Sequence, residues 1–289
     1  MRIALAPVNV VLGDWEGNLQ IHKARVAEAA KLGAELVVFP ELSLVGYSPL
    51  DLMSRPSWAA LATDQLERFH AWLADEFPKL GVIVGTTFSV KAKSLTPRGI
   101  ANCAVFLHGK EREVRAKTLL PDYDVFHEMR YFDSAAFLDD SFRAPLVFGG
   151  KKLGILICED SWEEMEIRGQ RIYRLNPTER LAQQGCELLV NISASPYDRT
   201  KRERRRAAIA ADAKQFGIPI VYVNHFGAND DLIFDGDCFR QLPDGTLGEQ
   251  KSDPGPEILL VDLDRPSSGK KKNKPASREP SAASELASL

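Results

Sequence analysis

Cys158 closes the apolar run Leu153-Gly154-Ile155-Leu156-Ile157. Glu41 closes Leu36-Val37-Val38-Phe39-Pro40, and Lys117 follows the strand-like stretch Glu111 to Ala116. A thiol, a carboxylate and an amine thus each fall where a strand gives way to a loop, and open α/β proteins build their sites at the carboxyl ends of strands. A nucleophile, a base and a cation together suffice for attack on an amide carbon. The thiol attacks as thiolate, so it needs a proton acceptor and a positive neighbour. Glu41 can take the proton as general base and return it to the leaving amine. Lys117 can stabilise the tetrahedral oxyanion, beside a backbone N–H following Cys158. Water would then hydrolyse the thioester. Each residue also has a plain alternative: a core cysteine, a loop or capping carboxylate, a solvated surface amine.

The elements that must position these residues alternate. Ile3 to Val8 has strand length. Asp14 can cap a helix over Trp15 to Leu32 that Gly33 stops. Leu36 to Phe39 is a short buried strand, and Trp58 to Phe77 is helical. Gly81 to Phe88 and Ala101 to Leu107 are strands joined across the turn-rich segment Lys91 to Gly99. His108-Gly109-Lys110 and Gly149-Gly150 mark further hairpins. Later come a helix over Thr178 to Gln184, a strand Leu188 to Ile192, a strongly basic helix Lys201 to Phe216 stopped by Gly217, and strands at Ile218 to Val223, Phe234 to Gln241 and Glu257 to Leu263. Strands alternating with helices imply a layered α/β fold.

The chain has 289 residues, enough to bury a sizeable core, and a net charge of −3. That balance implies no general affinity for nucleic acid or for anionic membranes. The apolar start, Met1 to Leu12, is too short to span a bilayer and lacks a signal-peptide layout. With no export signal, the four cysteines, Cys103, Cys158, Cys186 and Cys238, are expected to be reduced thiols in a cytoplasm. Their spacing contains no Cys-x-x-Cys pair, which argues against a structural zinc site. Cys103 and Cys186 border strand-like runs and read as core residues. The charged run Arg199 to Arg206 reads as the solvated face of a helix, without the aromatic residues a nucleic-acid groove would interleave. Residues 265–289 are rich in Ser, Ala, Lys and Pro and are expected to form a disordered tail. The tail holds six basic and two acidic residues, so residues 1–264, the expected folded domain, carry about −7.

Pro40-Glu41-Leu42, Lys117-x-x-Leu120-Pro121 and Cys158-Glu159 resemble the Glu-Lys-Cys signature of the nitrilase superfamily of carbon–nitrogen hydrolases. Within it, the stretches Pro40 to Leu52, Lys117 to Phe132, Cys158 to Trp162 and Asn191 to Tyr197 resemble the glutaminase domain of glutamine-dependent NAD synthetase. The resemblance runs from residue 1 to about 264. It implies a four-layer αββα sandwich; an oligomer of two or more copies and no cofactor or metal are further expectations. It also implies roles for further residues. Glu128 matches a supporting glutamate that orients the lysine or the substrate, with a loop–helix cap as the alternative. Tyr123, Ser195 and Lys201 match residues that hold glutamine, and Glu159 stands where it would hold the α-amino group; a Tyr or Ser in such loops can equally be structural.

The pyrophosphatase loop of the type Ser-Gly-Gly-x-Asp-Ser, expected of an NAD-forming domain, is absent from the sequence. Three readings follow. The first is an amidase acting on glutamine, with the ammonia passed to a separate ATP-dependent synthetase. The second is a free-standing hydrolase of another small amide or carbamoyl compound. The third is a non-catalytic regulatory homologue, against which the intact Glu41, Lys117 and Cys158 argue.

Overall fold

The protein is represented by a computed structural model that describes residues 1–95, 97–162, 164, 166–167, 169–251 and 255–265. The first half runs β1 (Arg2–Leu5), α1 (Trp15–Lys31), β2 (Leu36–Val38), α2 (Pro56–Glu76), β3 (Gly81–Ser89), β4 (Ile100–His108), β5 (Glu111–Ala116) and the one-turn α3 (Glu128–Tyr131). The second half runs β6 (Leu146–Phe148), β7 (Lys151–Ile157), a small ribbon of β8 (Glu166–Ile167) and β9 (Gln170–Arg171), α4 (Pro177–Gln183), β10 (Leu188–Ser193), α5 (Lys201–Phe216) and β11 (Ile220–Asn224). It closes with β12 (Phe226–Asn229), β13 (Leu232–Asp235), β14 (Cys238–Gln241), β15 (Leu247–Gln250) and β16 (Leu259–Asp262).

Local chemistry sets the ends of the helices. Asp14 Oδ1 accepts from Gly17 N at 2.9 Å and caps α1, as the sequence predicts. Proline opens α2 and α4, where its missing N–H costs nothing. Gly217 closes α5 at φ +67°, a conformation that suits glycine.

Two six-stranded sheets form, in the orders β16-β1-β2-β3-β4-β5 and β15-β14-β11-β10-β7-β6. The central strands β1, β2 and β3 are parallel, as are β7, β10 and β11, and antiparallel strands flank both sets. Period-two alternation sorts the side chains. Ile3, Leu5, Val38, Ile83, Ala104 and Phe106 of one sheet meet Leu153, Ile155, Ile157, Val190, Ile192 and Val221 of the other. The opposite faces take the helices: Ala4, Val37 and Val82 pack with Leu19 and Val26 of α1 and Phe69 and Leu73 of α2. Leu156, Leu189 and Tyr222 pack with Leu181 of α4 and Ile209 and Ala213 of α5. The result is the expected αββα order, held by three apolar layers in which each fully buried aliphatic side chain contributes roughly 1.5–3 kcal/mol.

Two expectations are corrected. The segment Phe234 to Gln241 is not one strand. It breaks at Gly236, φ +63°, and its halves join different sheets, β13 with β12 and β14 with β11. The basic helix α5 is not solvated throughout: Arg205 is 1 % exposed and pairs with Asp235 at 2.9 Å and Asp237 at 3.3 Å. Arg202 and Arg206 also reach Asp237, in the turn at Gly236 that separates the two strands. The other cysteines, Cys103, Cys186 and Cys238, are buried, the first two as expected of core residues. The expected tail, residues 265–289, lies outside the described residues save Arg265.

Candidate active site

Strand direction brings the three reactive residues together. β5 runs parallel to β3, two antiparallel steps away, so the carboxyl ends of β2, β3 and β5 share one edge of the first sheet. Glu41 lies in the loop after β2, and Lys117 directly follows β5. On the facing sheet, Cys158 directly follows β7 and opens a tight 3-10 turn, Cys158–Ser161. Its φ is +45°, uncommon for a residue with a side chain and a form of local strain that clusters at functional sites. Leu42, after Glu41, is also left-handed, at φ +50°. Gly85 of β3 lets the Glu41 loop descend onto the sheet: a Cβ there would stand 2.3 Å from Leu42 N and 2.4 Å from Pro40 O.

Lys117 is the hub. Its Nζ donates to Glu41 Oε1 at 2.7 Å and to Glu128 Oε1 at 2.8 Å, and all three side chains are almost wholly buried. Glu41 Oε1 also accepts from Asn102 Nδ2 at 2.7 Å, and Oε2 from the backbone N of Ala194 at 2.9 Å. The Glu41 carbonyl contacts His225 Nε2 at 2.6 Å. Burial opposes the Lys117 ammonium, but the charges of Glu128 and Glu41 outweigh it and hold the amine charged, well above the usual lysine range. Burial raises Glu128 to about 7 against the pull of Lys117, with the charge of Glu41 adding to the rise. Burial, and then the charge of Glu41, pushes the Cys158 thiol well above its ordinary range, with Lys117 pulling the other way. The resting nucleophile is therefore a thiol, and its attack must be coupled to proton removal.

Of the remaining residues singled out in the sequence, Tyr123, Glu159 and Lys201 lie within electrostatic reach of Cys158 or Lys117, whereas Ser195 enters only through its neighbour Ala194, whose N–H reaches Glu41. Tyr123 and Tyr173 both donate to Glu159 Oε1, each at 2.7 Å. Burial raises the pKa of Glu159 despite these bonds. Lys201 begins α5, with its Nζ 5.3 Å from the Phe126 ring centre. Burial lowers its pKa, with the Arg205 charge adding to the fall and the Glu159 charge opposing it. Ser195 is 2 % exposed; Asn224 clamps its backbone N and O at 2.8 and 2.9 Å, and its hydroxyl has Arg205 at 3.5 Å.

Sequence reading missed the supports. Asp160 Oδ1 accepts from Thr118 N and Leu119 N at 3.0 and 2.8 Å, and its Oδ2 from Ile157 N at 3.1 Å, tying the Lys117 loop to the Cys158 turn. Asn102, Tyr173, His225 and the Ala194 N–H were also absent from that reading. One signal was available: Asn102 shares the inward face of β4 with Ala104 and Phe106, where alternation calls for an apolar residue. Among the described residues, no group of three or more His, Cys, Asp or Glu stands ready for a metal, and no helix is long and apolar enough to cross a membrane.

Comparison with known proteins follows the same line. The family model described as carbon–nitrogen hydrolase matches residues 2–273. The glutamine-dependent NAD(+) synthetase of Synechocystis sp. is 40 % identical over 85 % of this chain and 43 % of its own length. That of Thermotoga maritima is 34 % identical over 91 % of this chain and 42 % of its own. The chain thus spans less than half the length of these relatives. A glutamine-dependent NAD+ synthetase structure from Acinetobacter baumannii superposes with a TM-score of 0.74 at 30 % identity, over 90 % of this chain and 44 % of that one. An amidase structure from Nesterenkonia sp. gives 0.73 at 24 % identity, over 91 % of this chain and 90 % of that one, and shares the fold. The motif resemblance, the αββα layers and the family match agree, and this chain belongs to the carbon–nitrogen hydrolase family, whose enzymes act on non-peptide C–N bonds.

Proposed function

We propose that the chain hydrolyses the side-chain amide of glutamine through a thioester on Cys158 and releases ammonia for an ATP-dependent synthetase. The observation that carries the reading is the buried Glu41–Lys117–Glu128 cluster, whose charges act on the Cys158 thiol. Glu41 takes the thiol proton as sulfur bonds the amide carbon. Lys117, already donating to two carboxylates, has its third N–H for the oxyanion. Glu41 then passes the proton to nitrogen, the C–N bond breaks, and ammonia leaves the acyl thioester. Water, deprotonated by Glu41, attacks the thioester; glutamate departs and the thiol regains its proton. Glu128 keeps the ammonium of Lys117 aimed at the reacting carbon.

Glutamine is favoured because its two charged groups would find opposite partners: Glu159, oriented by the Tyr123 hydroxyl, for the α-ammonium and Lys201 for the carboxylate, with Ser195 assigned to the same amino-acid end. The names of the relatives support this substrate. The test is ammonia release from glutamine and from a panel of uncharged amides. Cys158→Ala should lose several orders of magnitude in rate, and retention of more than about a tenth would remove the nucleophile assignment. Lys201→Ala should lower efficiency on glutamine about ten- to a hundredfold and leave an aliphatic amide nearly untouched. Turnover of other amides with none of glutamine would leave the hydrolase standing and end the glutaminase reading.

A further inference from the structure

A carboxylate oxygen offers two lone pairs to donors. On Glu41, Oε1 has both engaged, by Lys117 Nζ and by Asn102 Nδ2, each at 2.7 Å. Oε2 has one engaged, by Ala194 N at 2.9 Å. Counting donors among the described residues, a single acceptor position remains, on Oε2. Asn102 also holds the other partner of this contact through its main chain, since its carbonyl accepts from Lys117 N at 2.9 Å. One residue of β4 therefore ties the carboxylate to the amine from both of its polar ends. The amide orientation is set by its partner, because an ionised carboxylate accepts only and the –NH₂ must face it.

The fold tolerates a cost for this side chain. Asn102 is 0 % exposed, it occupies an inward position in line with Ala104 and Phe106, and its Oδ1 has no hydrogen-bond partner among the described residues. A buried acceptor left unpaired is destabilising, so packing alone would favour an apolar residue here. From this we infer that Asn102 is a positioning residue for proton transfer: it fills the second lone pair of Glu41 Oε1, so the Cys158 proton is received on Oε2 alone. The inference rests on the proposed role of Glu41 as base. The other charged or titratable groups acting on Glu41 and its neighbours include Lys117, Glu128, Cys158, Glu159, Tyr47 and His225, and they are common to the wild type and to the variants below.

The test compares Asn102→Ala, which removes the donor, with the isosteric Asn102→Asp, which sets a second carboxylate against Glu41. Both are first shown to be folded by circular dichroism. Kinetics on the best amide should show kcat lowered about ten- to a hundredfold with KM little changed. The acid limb of the pH profile should move to higher pH, further in Asn102→Asp than in Asn102→Ala, because loss of a donor and addition of a negative charge both favour the protonated base. The same order should appear in the pH dependence of Cys158 alkylation by iodoacetamide, which needs no turnover. Folded variants with an unmoved limb in both assays, or with KM alone changed, would overturn the inference. A shifted alkylation limb in a protein that hydrolyses no amide would leave it standing while the proposed function falls.

Discussion

Asp160 shows how a single carboxylate can couple two loops. It accepts three backbone N–H groups, yet burial pushes it up to about 7. A carboxyl whose folded pKa is raised makes the folded state bind more protons than the unfolded one, so its contribution to stability is complete below about 4 and is lost as pH rises through about 7. Glu128, raised to about 7 as well, adds a slope of the same sign. Urea unfolding of the wild type from pH 4 to pH 8 should show the decline attributable to both, and Asp160→Asn should show a shallower one. An unchanged slope would mean that Asp160 is ionised throughout. At this scale the sequence was readable where a reactive side chain ends an apolar run, as at Glu41, Lys117 and Cys158. It was silent on Asp160, whose partners Thr118 and Leu119 stand 42 and 41 residues away, because no local pattern records that distance.

At the scale of elements, the helices and hairpins followed their signals closely. Asp14, Gly33 and Gly217 mark ends by local geometry, and the hairpins at Gly109 and Gly149-Gly150 occur where glycine permits a left-handed turn. The reading failed where the choice was tertiary. The split of Phe234 to Gln241 and the burial of Arg205 both depend on which sheet receives each half of the segment. Gly85 is similar: nothing local distinguishes it from an ordinary strand glycine, yet the Glu41 loop lies against it. Gly85→Ala places a methyl group against backbone atoms of Leu42 and Pro40, which cannot swing aside as a side-chain tip would. The expected cost is about 1–3 kcal/mol of stability. A displacement of Glu41 near 1 Å would add about a hundredfold loss in kcat/KM. Wild-type activity and melting temperature in this variant would show that the loop can yield.

The whole molecule supplies what neither sheet has alone. Glu41 and Lys117 come from one sheet, Cys158 and Ala194 from the other, and the apolar layer between the sheets sets their separation. Phe106 lies in that layer at the end of β4 away from Asn102, edge-on to Phe148 of the facing sheet with ring centres 5.4 Å apart. Phe106→Ala should cost about 3–5 kcal/mol by chemical denaturation. The rate per folded molecule should hold, since the cavity opens at the far end of the strand. A fall in kcat under conditions where the variant is fully folded would mean that the sheets shift as rigid bodies and carry the site with them.

The contact between Glu41 and the Ala194 N–H spans 153 residues, and that between Glu41 and Lys117 spans 76. Contacts this distant along the chain form only after the intervening loops have closed, and such closures come late on the folding path. No hairpin or β-α-β unit, however well formed, contains the reactive centre. During refolding from denaturant, secondary structure should therefore return before Cys158 acquires its native reactivity toward iodoacetamide. A nascent chain stays without a working nucleophile until both sheets have met, so the reactive thiol comes into being only inside the folded molecule.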